Sequence, residues 1–180
     1  MKSETTQQIV VSGVGGQGVL LVTRLLAEAA MTLDLPVFTS ETHGMAQRGG
    51  TVLSHLKVGN FHSPLIRPGQ ADGLLVLKAE NLMAHGPFLT PEGWTVVNTA
   101  DDLPGALDAE AITRNLGNPK AVNLVLLGFA LASRGAAGRP LLFCQYEDVA
   151  EAIRHTLNAR PRMMEAALAA LAAGAAAVEI

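Results

Sequence analysis

Three glycines with the spacing of a phosphate-binding turn lie near the start of the chain. Gly13, Gly15 and Gly18 fit the pattern G-x-G-x-x-G, between the apolar run IVV and a segment with helical periodicity. Glycines in such a turn allow a tight reversal and a close approach of the backbone to a ligand, and free N–H groups at a helix start attract phosphate. Three interpretations stay open: nucleotide binding, contact with another ligand or partner, and packing of the helix on the strand.

Two neighbouring features bear on these interpretations. Gly16 leaves the start of the helix bare, and the Gln17 amide can bond either a ligand or a neighbouring residue. The dinucleotide fingerprint also requires an acid about 20 residues further on, at the end of the second strand. Because Glu41 stands near that place, a nicotinamide- or flavin-binding enzyme is an admissible alternative.

A second glycine-rich segment, ETHGMAQRGG, follows the second predicted strand. It places hydrogen-bonding side chains between glycines, which a solvated loop rarely needs. One interpretation is an ordered structural loop in which Arg48 pairs with Glu41, and the other is a rim that lines a ligand or partner surface. The candidate surface residues of this segment are Glu41, His43, Gln47, Arg48, Gly49 and Gly50.

The remaining reactive residue types predict no catalytic or metal site. The single cysteine, Cys144, cannot form an internal disulfide or supply the roughly four ligands of an iron–sulfur cluster. Its apolar surroundings predict a small buried side chain. The five histidines show no metal-ligand spacing, and no residue resembles a nucleophile or a proton-transfer catalyst. We therefore predict neither a catalytic residue nor a metal ligand in this chain.

The hydrophobic periodicity predicts the elements that position the two glycine-rich segments. A strand over 8–13, a helix over 17–34 and a strand over 37–40 form a β-α-β unit, whose right-handed crossover predicts a parallel pair. Both segments then follow parallel strands and lie at one edge of the sheet. Further strands are predicted over 51–59, 72–78 and 93–99, and further helices over 79–89, 119–135, 145–158 and 161–180.

The order of these elements predicts the fold class. Residues 51–59 alternate apolar and polar, as a strand with one solvated face does, and no strand is predicted after residue 100. The pattern indicates an α/β protein with a three-layer Rossmann-like domain, a mainly parallel sheet of about five strands and a helical C-terminal third. We expect one domain over 1–180.

The composition limits the classes of function. The 180 residues are 49% apolar and 16% charged, with a net charge of −3. This balance suits a packed globular domain and offers no positive field for nucleic acid or an anionic membrane. The longest apolar run, 124–132, is too short to cross a bilayer, and the polar N-terminus lacks a signal-peptide core. We therefore expect a cytoplasmic protein with no nucleic-acid or membrane partner.

The segments GVGGQGVLL and ETHGMAQRGGTVLSHLKVG resemble the gamma-type subunits of 2-oxoacid:ferredoxin oxidoreductases. The part GMAQRGG makes this resemblance specific. It continues through ADGLLVL, VVNT and NLVLLGFALA, and it is weaker in the C-terminal helices. Within the family, the chain is most similar to the small, beta subunits of the indolepyruvate enzymes.

The resemblance implies a non-catalytic small subunit that supports the CoA-dependent oxidative decarboxylation of a 2-oxoacid, with electrons passing to ferredoxin. It places thiamine diphosphate, Mg²⁺ and the 4Fe-4S clusters on a large, alpha subunit and none of them on this chain. The edge with the two glycine-rich segments would face that subunit and shape the entrance for CoA, where Arg48 could meet a phosphate or a carboxylate. A structural or regulatory protein that retains the fold also stays open.

An apparent thiamine diphosphate motif is excluded. The segment ADG with Asn98 mimics the magnesium-binding pattern of thiamine enzymes, but Ala71 replaces the first glycine and Thr99 replaces a frequent asparagine. Asp72 also stands at the start of its predicted strand, whereas the carboxylate of that motif should project from the end of a strand. We predict no magnesium ligand here.

Overall fold

A six-stranded mixed sheet organises the computed structural model, which describes residues 5–43, 50–135 and 138–178. The strands are β1 (Gln7–Val14), β2 (Val37–His43), β3 (Thr51–Val58), β4 (Ala71–Val76), β5 (Leu89–Asn98) and β6 (Ala106–Leu107). The helices in these ranges are α1 (Val19–Thr32), α2 (Asn81–His85), α3 (Ala109–Asn115), α4 (Val122–Ala132), α5 (Tyr146–Thr156) and α6 (Pro161–Ala176), with 3₁₀ turns at Gly86–Phe88 and Pro119–Ala121.

The strand order β2-β3-β1-β4-β5-β6 confirms the α/β class and changes one predicted pairing. The predicted parallel pair of β1 with β2 is wrong, because β3 lies between them and is antiparallel to both. The pairs β1–β4, β4–β5 and β5–β6 are parallel. Two strands that are each antiparallel to a third run in the same direction, and Gly13 and His43 both pair with Val52. The ends of β1 and β2 therefore lie at one edge of the sheet, as predicted.

Two elements lie where the sequence predicted none. The expectation of no strand after residue 100 is wrong, because β6 pairs in parallel with the end of β5. Its two residues are too few to show a periodicity. Helix α3 follows at once, and the Asp108 side chain caps it by accepting a hydrogen bond from the N–H of Ala111 at 2.8 Å.

The helix predicted over 119–135 is shorter than its apolar pattern. A 3₁₀ turn at Pro119–Ala121 precedes α4, which ends at Ala132 rather than at Gly135, and Ser133 has extended dihedral angles. Helix α4 then packs closely on α6. A Cβ atom on Gly128 would collide with the carbonyl of Leu171, and one on Gly174 with the carbonyl of Val125. These two glycines therefore set the distance between the helices.

The main hydrophobic core lies between one face of the sheet and helices α1, α4 and α5, with α6 packed on α4. Ile9 and Val11 of β1 point to this face and are fully buried, as are Leu25 and Leu26 of α1 and Leu126 of α4. The alternation of side chains along β1 sends Val10 to the opposite face.

The second face of the sheet has a thinner cover. Its smaller core joins Val10 of β1 to Leu74 and Val76 of β4, under Ile66 of the segment 60–70 and Phe88 of the 3₁₀ turn. The solvated face predicted for β3 is therefore wrong. His55 and Lys57 point to this face and are only 3% and 6% exposed.

Aromatic rings cover the polar side chains that β3 sends to this face. The Nζ atom of Lys57 lies 5.0 Å from the centre of the Phe61 ring, and Phe88 meets His55 edge-on at 5.6 Å between ring centres. An alternating pattern cannot show that a later segment of the chain will cover the polar face. No helix in the described ranges is long and apolar enough to cross a membrane.

Candidate functional site

The glycine loop, residues 13–18, joins β1 to α1 at the carboxyl edge of the sheet. A Cβ atom on Gly13 would lie 2.8 Å from Cγ2 of Val19, and one on Gly18 would collide with the side chain of Asn123. Gly16 and Gly18 have φ angles of 93° and 78°, which disfavour other residues. A Cβ on Gly16 would meet no atom of the described residues within 4 Å. Packing therefore explains Gly13 and Gly18, whereas no described residue packs against Gly16.

The Gln17 amide bonds neighbouring residues. Its Oε1 accepts the N–H of Val14 at 2.9 Å, and its Nε2 donates to the carbonyl of Leu77 at 3.3 Å, just past the end of β4. The N–H of Gln17 itself donates to the carbonyl of Val14 at 3.1 Å. The sequence left open whether this amide bonds a ligand or a neighbouring residue, and in the structure it bonds neighbouring residues. Gln17 ties the glycine loop to the adjacent strand.

Three further carboxamides that sequence reasoning did not assign to this site bond the loop or its neighbour Leu77. Asn81 Nδ2 donates to the carbonyl of Gly13 at 3.0 Å, and Asn123 Nδ2 donates to the carbonyl of Gly18 at 3.3 Å. Asn98 Nδ2 donates at 3.3 Å to the carbonyl of Leu77, and Gln17 Nε2 donates to the same carbonyl. These asparagines lie far along the chain from the glycines, and no spacing rule could have found them. With Gln17 they form a carboxamide frame around the loop.

The frame leaves several backbone donors of the loop available. The N–H groups of Gly16, Gly18, Val19 and Leu20 find no acceptor among the residues that the structure describes. Two of them belong to the first turn of α1, where an anion is favoured by the orphan N–H groups and the helix dipole. The N–H of Gly15 is different, because it donates to the carbonyl of Gly50 at 3.1 Å. This bond joins the glycine loop to the end of the second glycine-rich segment.

The second segment is only partly a loop. The sequence predicted that Glu41 and His43 lie in a loop after a strand over 37–40. Strand β2 instead extends to His43, so both residues lie in the edge strand. The side chain of Glu41 is exposed, and its backbone pairs with Ser54. The predicted residues Gln47, Arg48 and Gly49, and with them the Arg48–Glu41 pairing, lie outside the described residues. Gly50 is in place beside Gly15.

Two depressions flank the glycine loop and share Gly16. One, of about 350 Å³, has a mostly apolar lining that includes Val14, Leu20 and Val52. The other, of about 410 Å³, lies between the loop, α3 and the 3₁₀ turn before α4. Its lining residues are Gly16, Gln17, Glu110, Thr113, Arg114, Pro119, Lys120 and Val122.

A polar cluster supports the loop from the thinly covered face of the sheet. Ser12 Oγ and His85 Nδ1 lie 2.7 Å apart, and Asn81 Nδ2 donates to Ser12 Oγ at 3.0 Å. Burial lowers the pKa of His85, and burial followed by the charges of Lys57 and His85 lowers the pKa of His55. Ser12 is fully buried, so this contact positions the end of β1 and does not present a nucleophile.

Cys144 is buried, as predicted, and Asp72 has a structural place. Cys144 is 2% exposed, and burial, with a smaller effect of Asp148, raises the pKa of its thiol to about 12. The thiol therefore stays protonated and inert near neutral pH. Asp72 lies near the start of β4 and accepts the N–H of Gln8 at 2.7 Å. Asn98 lies at the opposite end of the neighbouring parallel strand, so these two residues do not make one magnesium site.

The chain is similar to members of one family along most of its length. Residues 8–177 match the sequence profile of the family described as pyruvate ferredoxin/flavodoxin oxidoreductase. A relative from Archaeoglobus fulgidus, indolepyruvate oxidoreductase subunit IorB, is 34% identical over 179 residues, which cover 84% of this chain and 86% of the relative. These matches do not favour the free-standing nucleotide-binding enzyme.

Solved structures share the fold at lower identity. The keto/oxoacid ferredoxin oxidoreductase gamma subunit from Geobacter sulfurreducens has a TM-score of 0.71 at 24% identity and covers 93% of this chain and 95% of its own. The 2-oxoglutarate:ferredoxin oxidoreductase from Magnetococcus marinus, with 2-oxoglutarate, coenzyme A and succinyl-CoA bound, has a TM-score of 0.75 at 16% identity, over 97% of this chain and 31% of its own. The sequence resemblance is thus confirmed: the chain belongs to the pyruvate ferredoxin/flavodoxin oxidoreductase family, in which it corresponds to the small, gamma-type subunits.

Proposed function

We propose that the chain is the small, non-catalytic subunit of a 2-oxoacid:ferredoxin oxidoreductase that acts on indolepyruvate or another arylpyruvate. The observation that carries this proposal is the 34% identity to an indolepyruvate oxidoreductase subunit over 86% of that relative's length. A match over nearly the whole relative supports the same subunit role. The enzyme would decarboxylate the 2-oxoacid oxidatively, transfer the acyl group to CoA and pass the electrons to ferredoxin.

The chemistry of the side chains supports a division of labour between two subunits. The chain has one cysteine, and that cysteine is buried, so its residues do not fit an iron–sulfur cluster. Asp72 and Asn98 do not fit the magnesium of thiamine diphosphate, because Asp72 lies near the start of β4 and Asn98 lies at the end of β5. We therefore assign thiamine diphosphate, Mg²⁺ and the 4Fe-4S clusters to a large, alpha subunit, which also passes electrons to ferredoxin.

The carboxyl edge of the sheet is the surface that we assign to the large subunit. It brings the glycine loop beside Gly50 through the hydrogen bond from Gly15. Its exposed backbone donors at Gly16 and the start of α1 suit an anionic or polar group. In this arrangement, the glycine loop and residues 41–50 would line the entrance through which CoA reaches the thiamine adduct.

A reconstitution experiment tests the subunit role. The purified chain alone should be colourless and should reduce no viologen dye with any 2-oxoacid. A pull-down from the native host should recover a large, cysteine-rich thiamine diphosphate protein. The complex should reduce viologen with indolepyruvate and CoA, and pyruvate and 2-oxoglutarate serve as control substrates. Turnover by the chain alone, or the visible band of an iron–sulfur cluster in it, would overturn the proposal. A preference for a control substrate would overturn only the substrate class.

The alternative, a free-standing nicotinamide- or flavin-binding enzyme, rests on Glu41 and the glycine loop. Calorimetric titration with NADH distinguishes it. We expect at most weak binding, because Gly13 and Gly18 serve packing and Gln17 is occupied by Val14 and Leu77. A micromolar dissociation constant that Glu41→Ala weakens, and that the control Glu165→Ala leaves unchanged, would restore the alternative.

A further inference from the structure

Strand β2 forms one edge of the sheet and is long and regular. It pairs with β3 alone, in a continuous register from Val37 opposite Val58 to His43 opposite Val52. The other edge of the sheet differs, because β6 has only two residues. An edge strand presents a row of open backbone groups with which another strand can pair. The side of β2 that faces away from β3 could therefore accept a further strand.

One backbone hydrogen bond shows which residues of β2 point outward. The N–H of Gly59 donates to the carbonyl of Pro36 at 2.8 Å, next to the first pair of the β2–β3 register. Hydrogen-bonded pairs alternate along an antiparallel ladder, so the backbone of Phe38 also bonds β3. The N–H and C=O groups of Val37 and Thr39 therefore point away from β3. In the part of the chain that the structure describes, no strand lies on that side.

The sequence of β2 lacks the usual protection of an edge strand. Monomeric proteins block such edges with lysine, proline, bulges or a covering segment. Strand β2 contains neither lysine nor proline, and the side chain of Phe38 is 39% exposed. Met31 and Leu33, near the end of α1 and just before β2, are also exposed. Exposed apolar side chains beside open backbone groups favour a surface that another chain covers.

We propose that β2 pairs in antiparallel fashion with β2 of a second copy of this chain, with the two-fold axis at Phe38. An axis perpendicular to the sheet keeps each face continuous, so outward-pointing residues meet outward-pointing residues. Val37 of one copy then exchanges hydrogen bonds with Thr39 of the other. The two Phe38 side chains form a non-hydrogen-bonded pair, in which cross-strand side chains lie closest together.

The residues of β2 suit pairing with themselves in this register. Residues equally far from Phe38 lie opposite each other, so Glu41 lies opposite Leu35 and not opposite another acid. Cross-strand aromatic pairs stabilise a sheet, whereas like charges directly opposite destabilise it. The residues nearest the axis, Val37, Phe38 and Thr39, are of types that strands favour. The two six-stranded sheets thus become one continuous sheet.

Analytical ultracentrifugation of the full-length chain tests whether it dimerises. A short edge pairing buries little area, so we expect a reversible dimer that forms between about 10 and 500 μM. A chain that stays monomeric over this range would overturn the proposal, even if it assembles with a large subunit. Assembly and turnover with the large subunit test the proposed function, and neither needs the isolated chain to dimerise. The two results are therefore distinguishable.

Two variants locate the contact at β2. Thr39→Pro removes an outward N–H but no hydrogen bond to β3, and an edge strand tolerates proline at such a position. Phe38→Lys places two like charges opposite each other at the axis. Each variant should weaken dimerisation roughly tenfold or more, and circular dichroism checks that it is folded. The control Met163→Lys changes an exposed side chain of α6 and should dimerise like wild type. Wild-type dimerisation of either folded β2 variant, or equal weakening in the control, would overturn the proposal.

A cross-link tests the position of the two-fold axis. In a non-hydrogen-bonded pair the Cα atoms lie about 4.5 Å apart, which is within the range of a disulfide. Phe38→Cys should therefore give a disulfide-linked dimer when copper–phenanthroline and air oxidise it, and the buried Cys144 should not compete. The control Met163→Cys should stay unlinked. No linked dimer of Phe38→Cys, at a concentration at which wild type dimerises, would overturn the proposed pairing.

Discussion

At the scale of residues, amides rather than catalytic groups shape the candidate site. Gln17 alone makes two hydrogen bonds that tie the glycine loop to β1 and to the residue after β4. Removing the amide takes one acceptor from the half-buried N–H of Val14, whereas the carbonyl of Leu77 keeps the hydrogen bond from Asn98. An unsatisfied buried group costs about 1–3 kcal/mol, whereas an exposed side chain contributes little.

Gln17→Ala should therefore lower the free energy of unfolding by about 1–3 kcal/mol. Urea denaturation followed by circular dichroism measures this change. Gln70→Ala is the matched control, because the Gln70 side chain is exposed, and its effect should stay within about 0.5 kcal/mol. If Gln17→Ala also behaves like the control, the carboxamide frame does not stabilise the loop.

Arg48 tests where the functional surface lies. As a residue of a solvated loop, it would contribute roughly 0–1 kcal/mol, whereas at a subunit or ligand surface its loss would cost roughly 2–5 kcal/mol. We predict that Arg48→Ala leaves the melting temperature of the isolated chain nearly unchanged. It should weaken complex formation with the large subunit, or raise the KM for CoA, at least tenfold. A variant that assembles and turns over like wild type would show that the surface is placed wrongly.

At the scale of elements, the contact of α4 with α6 depends on two glycines. Alanine is the better helix former by about 1 kcal/mol, so helix propensity alone predicts that Gly128→Ala and Gly174→Ala stabilise the protein. The structure predicts the opposite sign, because each new methyl group would meet a carbonyl of the facing helix. Overpacking of this kind costs about 1–3 kcal/mol.

Thermal unfolding of Gly128→Ala and Gly174→Ala decides between these signs, and both variants should melt at a lower temperature than wild type. Gly86→Ala is the control, since a Cβ there would meet no atom within 4 Å in the part of the chain that the structure describes and the φ of Gly86 is −49°. That variant should be neutral or more stable by about 0.4–1 kcal/mol. A rise in melting temperature for either helix variant would show that α4 and α6 can move apart without a loss of stability.

At the scale of the whole molecule, the buried His55 and the half-buried His85 link stability to pH. The folded state holds the pKa of His55 and of His85 below their ordinary value, mainly by burial. Between the lowered pKa and the unfolded value of about 6.5, the unfolded chain binds more protons than the folded one. The stabilisation is thus complete above the unfolded value and is lost as pH falls through that window.

Urea denaturation at several pH values from about 7.5 down to about 5 should show this loss of stability. His55→Leu removes one titrating group and should make the fall in stability with pH shallower, whatever its effect at neutral pH. His155→Asn is the control, because the side chain of His155 is 84% exposed, and it should keep the slope of wild type. An unchanged slope in His55→Leu would show that this histidine is not the source.

Local sequence patterns were enough to predict the glycine loop between β1 and α1 and the α/β class. These features depend on residues that are close together in the chain, where periodicity and turn chemistry act. The family followed from the resemblance of the two glycine-rich segments to known gamma-type subunits. The same patterns placed the two glycine-rich segments at one edge of the sheet, since β1 and β2 do run in the same direction.

Only the tertiary structure decided which strands are neighbours and which side chains serve the loop. Strand β3 lies between β1 and β2 and forms antiparallel hydrogen bonds with both. Local periodicity does not show which strands will pair in this way. His55 and Lys57 become buried because the segment 60–70 and Phe88 fold over them. The asparagines at 81, 98 and 123 reach the glycine loop and its neighbour Leu77 because packing brings distant segments within hydrogen-bond distance.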